Sequence, residues 1–224
     1  MPRPISEALA EVFNRIRAIA DTPEYQAHAA RLAAEEERDR VLQAEATRRA
    51  RLKSTGVPPE VAVDGAVKFT PALMSAQSFM NGPPACRILM LSGKAGNGKT
   101  FAMASTVWVH GGRYVDAQEL VRTSTFDDPE WDSLATCHVL AVDELGAEAT
   151  NSAFEANLYN LIDRRYRMGR RTIIGTNLNA AEFKARFCAN GLDRLIDRLK
   201  TGGTFVTLAE DSMRRPWNES EARP

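Results

Sequence analysis

The stretch LMLSGKAGNGKTF, Leu89 to Phe101, decides the fold. Its centre, Gly93 to Thr100, satisfies the pattern G-x-x-x-x-G-K-[ST]. Glycines let a loop curl so that successive N–H groups point inward with no Cβ in the way, which is what close approach to a phosphate requires. Lys99 supplies a point charge for the β- and γ-phosphates, and Thr100 a hydroxyl for Mg²⁺. The flanks agree with that reading. Residues 86–92 (CRILMLS) form an apolar run expected as a buried strand, and residues 101–110 (FAMASTVWVH) read as a helix. Strand, glycine loop, helix is the order that confirms such a motif, and the helix adds its positive end to the site.

Downstream, strands and helices alternate. Short strands are expected at GRYV (112–115), HVLAV (138–142), TIIGT (172–176) and TFVTL (204–208). Helices are expected around Ala117 to Val121, around Phe154, Leu158, Leu161 and Ile162, and around Leu192, Leu195, Ile196 and Leu199. Continuous apolar strands between helices imply an α/β fold with a parallel sheet covered on both faces.

In such a sheet, ligands bind at the carboxyl ends of the strands. VLAVDE therefore places Asp143 and Glu144 beside the glycine loop. Asp143 is suited to hold Mg²⁺ and Glu144 to activate a water, which points to hydrolysis rather than transfer to a substrate hydroxyl. A small-molecule kinase would need an acceptor pocket and a basic lid, and neither is visible. Asn177 follows TIIGT at another strand end. It is either a turn residue or an amide that holds the same water or touches the γ-phosphate.

The N-terminal segment is different in kind. Residues 5–54 read as helix, broken at Thr22-Pro23, with Ile5, Leu9, Phe13 and Ile16 close to one face of the first half. The second half is rich in Ala, Glu and Arg, and its apolar positions (Leu32, Val41, Leu42, Leu52) are few. It is either a solvated helix held by i,i+4 ion pairs or a partner-binding arm. Its length and polarity favour the arm. TGVPPE (55–60) reads as a linker or turn, and a short helix begins near Leu73.

The bulk numbers narrow the class. The 224 residues allow one ordinary domain plus an appendage, and 44% of them are apolar. Three scattered cysteines argue for reduced thiols, a cytoplasmic setting and no zinc site. No apolar run approaches a membrane span. Formal net charge is zero, but its distribution is uneven. Residues 112–162 carry two basic and ten acidic side chains, and residues 163–215 twelve basic and six acidic. That polarity suits head-to-tail packing of copies into a ring or spiral. In DRLIDRLK, Arg194 and Arg198 lie one turn apart. They either project into a neighbour's site as arginine fingers or simply pair with Asp residues of a surface helix.

Taken together, GKAGNGKT, VLAVDELG, LIDRRYRMGRRTIIGTNLN and LDRLIDRLKTGGTFV, followed by DSMR, resemble the DnaC-type helicase loaders of bacteria and phages. The IstB-like ATPases of insertion-sequence transposition share much of this pattern, and both groups belong to the AAA+ superfamily of P-loop NTPases. The resemblance spans about residues 50 to 215. It implies an ATPase, slow and stimulated by a partner or DNA, with ATP held by Gly93, Lys94, Ala95, Gly96, Asn97, Gly98, Lys99, Thr100 and Phe101. It implies Mg²⁺ at Thr100 and Asp143, water activation by Glu144, a sensor role for Asn177, and trans-acting Arg194 and Arg198, with Arg198 the better candidate for the finger. The expected organisation is a helical partner-binding arm over residues 1–55, a linker and short helix over 56–84, the AAA+ domain over 85–215 without a C-terminal helical lid, and a tail over 216–224. The expected partners are the replicative helicase, through the arm, and single-stranded DNA; the alternative is double-stranded DNA with a transposase. Lys184 and Arg186 are the candidate DNA contacts.

Overall fold

In the computed structural model of the chain, residues 5–62, 69–122, 129–148, 152–188 and 193–208 are described. The chain divides into two units, Met1–Arg51 and Leu52–Pro224.

The first unit holds α1 (Ile5–Ala20) and most of α2 (Pro23–Thr55). The break falls where the sequence places it. Thr22 accepts the Tyr25 N–H through its hydroxyl at 3.4 Å, and Pro23 opens the next helix, where its missing N–H costs nothing. From residue 21 to residue 51 every side chain is exposed. Leu9 (53%) and Phe13 (67%) on α1 are exposed too. Over residues 21–51, α2 therefore rests on intrinsic propensity and pairs such as Arg40–Glu37 rather than on a buried face.

The second unit is built on a five-stranded parallel sheet. In chain order its elements are α3 (Pro71–Asn81), β1 (Ile88–Ser92), α4 (Lys99–His110), β2 (Gly112–Asp116), α5 (Ala117–Arg122), α6 (Pro129–Thr136), β3 (Val139–Asp143), α7 (Ser152–Arg167), β4 (Arg171–Thr176), α8 (Ala180–Cys188), α9 (Asp193–Gly202) and β5 (Gly203–Thr207). Strand order is β2-β3-β4-β1-β5. The expected strands all form, within a residue or two at their ends. β4 lies between β1 and β3, so the segment after β4 enters between the glycine loop and the two carboxylates.

Strand alternation divides the core. Ile88 and Met90 of β1 face one cluster with Leu140, Val142 and Ile174, closed by Trp131, Leu134, Leu158, Ile162 and Phe183. Leu89 and Leu91 face the other with Val139, Ala141 and Ile173, closed by Leu73, Phe79, Ala102, Met103 and Val107. A sheet buried on both faces needs apolar residues at both parities, which is why β1 and β3 read as unbroken apolar runs. Val57 and Ala62, from the expected linker, are buried in the second cluster as well.

Helices that cross between parallel strands run back against them, so their C-terminal carbonyls collect at the N-terminal edge of the sheet. Arginines meet them there. Arg165, with no exposed surface, donates to the carbonyls of Leu134 (2.6 Å), Cys137 (3.0 Å) and Arg171 (2.6 Å) and to the Thr172 hydroxyl (3.0 Å). Arg87 donates to the Tyr166 carbonyl at the end of α7 (2.6 Å). Arg171 donates to Phe79 and Gly82 carbonyls at the end of α3.

Two helices go beyond the sequence expectations. The α8 start carries a capping box that was there to be read: Glu182 N donates to Asn179 Oδ1 (2.9 Å) and Asn179 N to Glu182 Oε2 (2.8 Å). The α6 helix has only Trp131, Leu134 and Ala135 to bury, too few to display a helical period.

Candidate nucleotide-binding site

The glycine loop leaves β1 and enters α4 through Gly98, which sits in the left-handed region at φ 77° as the N-cap. That conformation suits glycine, and it turns the chain so that the first N–H groups of α4 face the loop's interior. Lys99 then folds back. Its Nζ donates to the carbonyls of Gly93 and Lys94 (3.0 Å to the latter) and to Asn177 Oδ1 (3.0 Å). Three donors meet three oxygens, a set that phosphate oxygens can replace. Burial lowers the lysine's pKa, and the Asp143 and Glu144 carboxylates oppose that shift.

Thr100 lies one residue further and donates to Asp143 Oδ2 at 2.6 Å. Tyr114, on the edge strand β2, donates to the same oxygen at 2.8 Å. Burial first, and the Asp143 carboxylate second, push the Tyr114 phenol far above its usual range, so it keeps the proton that it donates to Asp143. Asp143 Oδ1 accepts the N–H of Glu144 at 2.9 Å. Beside it, a Cβ on Gly175 would stand 2.4 Å from Oδ1 and 2.8 Å from Met103 Sδ, so only glycine fits between the two carboxylate-bearing and loop-bearing elements. Glu144 is exposed and has φ 56°, the left-handed region, which strains a side-chain-bearing residue.

The loop that carries Glu144 is braced. Glu148, with its side chain buried, accepts the Gly146 N–H (2.6 Å) and pairs with Arg186, which also pairs with the buried Glu155 (2.9 Å). Arg186 is therefore committed to two internal carboxylates, which removes it from the DNA-contact candidates; Lys184 is exposed.

These groups line a cavity of about 350 Å³ that brings together Ala95, Gly96, Gly98, Lys99, Thr100, Phe101, Asp143, Glu144 and Asn177. The donor set fits a nucleotide phosphate: a glycine cradle, one ammonium, and a hydroxyl and carboxylate side by side as hard-oxygen ligands for a divalent cation. Glu60, Val61 and Thr70 complete the lining and were not anticipated. Thr70-Pro71 gives a local signal, as the N-cap and first residue of α3. Arg198 lies elsewhere. Its Nε donates to Asp163 Oδ1 (3.0 Å) and its guanidinium sits 5.0 Å above the Tyr166 ring, both on α7. Arg194 belongs to α9, and its side chain lies outside the described residues.

The sequence profile of the IstB-like ATP binding proteins matches residues 78–222, well over half of the chain. The chain belongs to this family. No curated protein matches it. Among solved structures, the IstB-like chain is similar to the crystal structure of DnaI (18% identity, covering 69% of this chain and 96% of that one, TM-score 0.53). It is similar to the crystal structure of the DnaC helicase loader (19% identity, 65% and 95% covered, TM-score 0.50). It is also similar to AMPPCP-bound DnaA from Aquifex aeolicus (15% identity, TM-score 0.55), where 69% of this chain spans only 52% of that one. At these identities the likeness is one of fold. It agrees with the expected α/β fold, a parallel sheet flanked by helices with the glycine loop after its first strand. Tyr114 is the residue of this site that the sequence could not give, because its role depends on β2 lying beside β3.

Proposed function

We propose that this IstB-like protein is an ATP-dependent helicase loader, which binds a replicative DNA helicase through its N-terminal arm and assists its placement on single-stranded DNA. The observation that carries the reading is the convergence of Lys99, Thr100, Asp143 and Asn177 at the ends of adjacent strands, beside the strained Glu144. Bound Mg·ATP would supply the energy of a phosphoanhydride bond. The loop N–H groups and Lys99 hold the phosphates, and Thr100 and Asp143 hold the cation. Asn177 orients the attacking water or reads the γ-phosphate, and Glu144 takes the water's proton. Slow hydrolysis is expected from one subunit, because among the described residues no arginine lines the cavity and a stabilising one would come from a neighbour. Arg198 is the candidate, once released from Asp163. The fold likeness to DnaI and to the DnaC helicase loader over nearly their whole chains supports a loader. The exposed helical arm supports a protein partner.

A second reading has its own support. The family match favours an IstB-like ATPase that acts on double-stranded DNA with a transposase. Native mass spectrometry separates the two. Intact chain and a variant lacking residues 1–55 are mixed with the host's replicative helicase, with and without ATP. A complex that forms only with the intact chain is the expected result. No complex under any nucleotide condition, with assembly on duplex DNA instead, would overturn the loader in favour of the transposition ATPase.

A further inference from the structure

The three loops that carry the chemistry meet at one buried residue. Thr176 ends β4 and has no exposed surface. Its carbonyl accepts the N–H of Gly93, the first residue of the glycine loop, at 3.2 Å. Its hydroxyl donates to the carbonyl of Leu145 at 2.7 Å and accepts the N–H of Leu178 at 3.1 Å. Leu145 follows Glu144, and Leu178 follows Asn177. One hydroxyl thus forms a continuous chain, N–H of 178 to Oγ1 to O=C of 145, between the residue that faces the γ-phosphate position and the residue that faces the water. Hydrogen bonds in series polarise one another, and at the buried Leu145 end the carbonyl has no water to turn to.

Two further contacts make the connection stiff. Ser92 Oγ donates to the Leu178 carbonyl at 2.7 Å, so the 177–178 segment is held from the glycine-loop side as well. Gly146 sits at φ 100° against Leu178, where a Cβ would stand 2.6 Å from Leu178 Cδ1. The 144–148 loop and the 177–178 segment cannot shift independently without breaking one of these contacts.

We propose that Thr176 is a positioning residue that couples Asn177 to Glu144, so that a change of phosphate state at Asn177 resets the Glu144 loop. The proposal rests on the hydrolytic reading given above. Valine is nearly isosteric with threonine and lacks only the hydroxyl, and serine keeps the hydroxyl. T176V is expected to bind ADP within about threefold of the wild type while turnover at saturating ATP falls about thirtyfold, as a lost buried hydrogen bond at a positioned group predicts. T176S restores turnover to within about threefold, and T176V adds less than about twofold on an N177A background, because the two act as a unit.

A second readout does not depend on turnover. In the wild type, amide exchange over residues 145–148 differs between ADP and a β,γ-methylene ATP analogue; in T176V that difference is lost while both nucleotides still bind. If T176V does not fold, S92A cuts the second tie between the same loops and carries the same expectation at smaller size. T176V turnover equal to wild type, full additivity with N177A, or an unchanged exchange response would overturn the coupling. ADP binding lost in step with turnover would do so too, by making Thr176 merely structural. Failure of the wild type to bind either nucleotide is a separate signal, which overturns the nucleotide site itself and the coupling with it.

Discussion

The two ends of the sheet solve opposite electrostatic problems with the same strands. At the N-terminal edge, helix C-termini present carbonyls, and Arg165, Arg87 and Arg171 answer them with guanidinium groups. At the C-terminal edge, α4 presents N–H groups, and the polar side chains there answer one another: Lys99 with Asn177, Thr100 and Tyr114 with Asp143. The first set of contacts is made mainly to helix-end and strand carbonyls, with the Thr172 hydroxyl and the Cys137 sulfur beside them, around a guanidinium with no exposed surface. The second set consists of side chains and loop carbonyls that phosphate oxygens and a cation can displace. One edge is therefore structural and the other responsive, although both are polar and partly buried.

The sharpest way to break this distinction is at Arg165. Burial lowers its pKa, yet five carbonyl or hydroxyl oxygens and the Cys137 sulfur hold it without a carboxylate. Arg165→Met removes the guanidinium donors from those acceptors inside the core, leaving the Leu134 carbonyl its Cys137 thiol donor. The expected loss is about 3 kcal/mol, which lowers the melting temperature by on the order of 10 °C in a chain of this size. Arg167→Met is the control, because its pair with Asp163 is a surface i,i+4 contact worth a few tenths of a kcal/mol. Nucleotide affinity of the folded fraction should not change in either variant. An Arg165 variant as stable as the control would show that these carbonyls are not held by this side chain.

At the other edge, Tyr114→Phe tests whether the contacts are tuned rather than structural. Asp143 Oδ2 loses one of two donors, and Thr100 becomes its only hydroxyl partner there among the described residues. Stability should fall by about 1 kcal/mol. The Mg²⁺ concentration needed for half-maximal nucleotide binding should rise by about three- to tenfold, because a carboxylate with a loosened orientation coordinates less well. An unchanged Mg²⁺ dependence would make Tyr114 a packing residue only.

The contrast also explains what was legible. Chemistry at the responsive edge is written in contiguous motifs, since a glycine loop and a strand-terminal Asp143-Glu144 pair each need only local geometry. Parallel pairing then brought Lys99, Asp143 and Asn177 together as expected. Tyr114 and Thr176 could not be assigned, because their partners are fixed by strand order and register, which no local pattern encodes. The structural edge was opaque for the same reason. Arg165 reads as one more charge in RRYRMGRR, and only the end of α6, itself unmarked by any period, shows why it is buried. Arg186 looked like a surface cation until Glu148 and Glu155 were placed around it.

The smallest effect is the most discriminating, because its sign should reverse with ligand. In the free protein, burial holds the Lys99 pKa below its ordinary 10.5. Between that lowered value and 10.5 the unfolded chain binds more protons than the folded one, so this group's contribution to stability rises with pH across the window. Below the window the contribution is constant and unfavourable. Chemical denaturation of the wild type and of Lys99→Met, at a series of pH values from neutral to alkaline, isolates it. The wild type should gain on the variant as pH approaches 10.5. With ADP bound, phosphate oxygens favour the charged amine and raise its pKa in the folded state, so the same comparison should show the wild type losing ground as pH rises. A difference that is flat in both conditions would mean that Gly93, Lys94 and Asn177 already compensate the ammonium fully. The edge would then be no more responsive than the one Arg165 occupies.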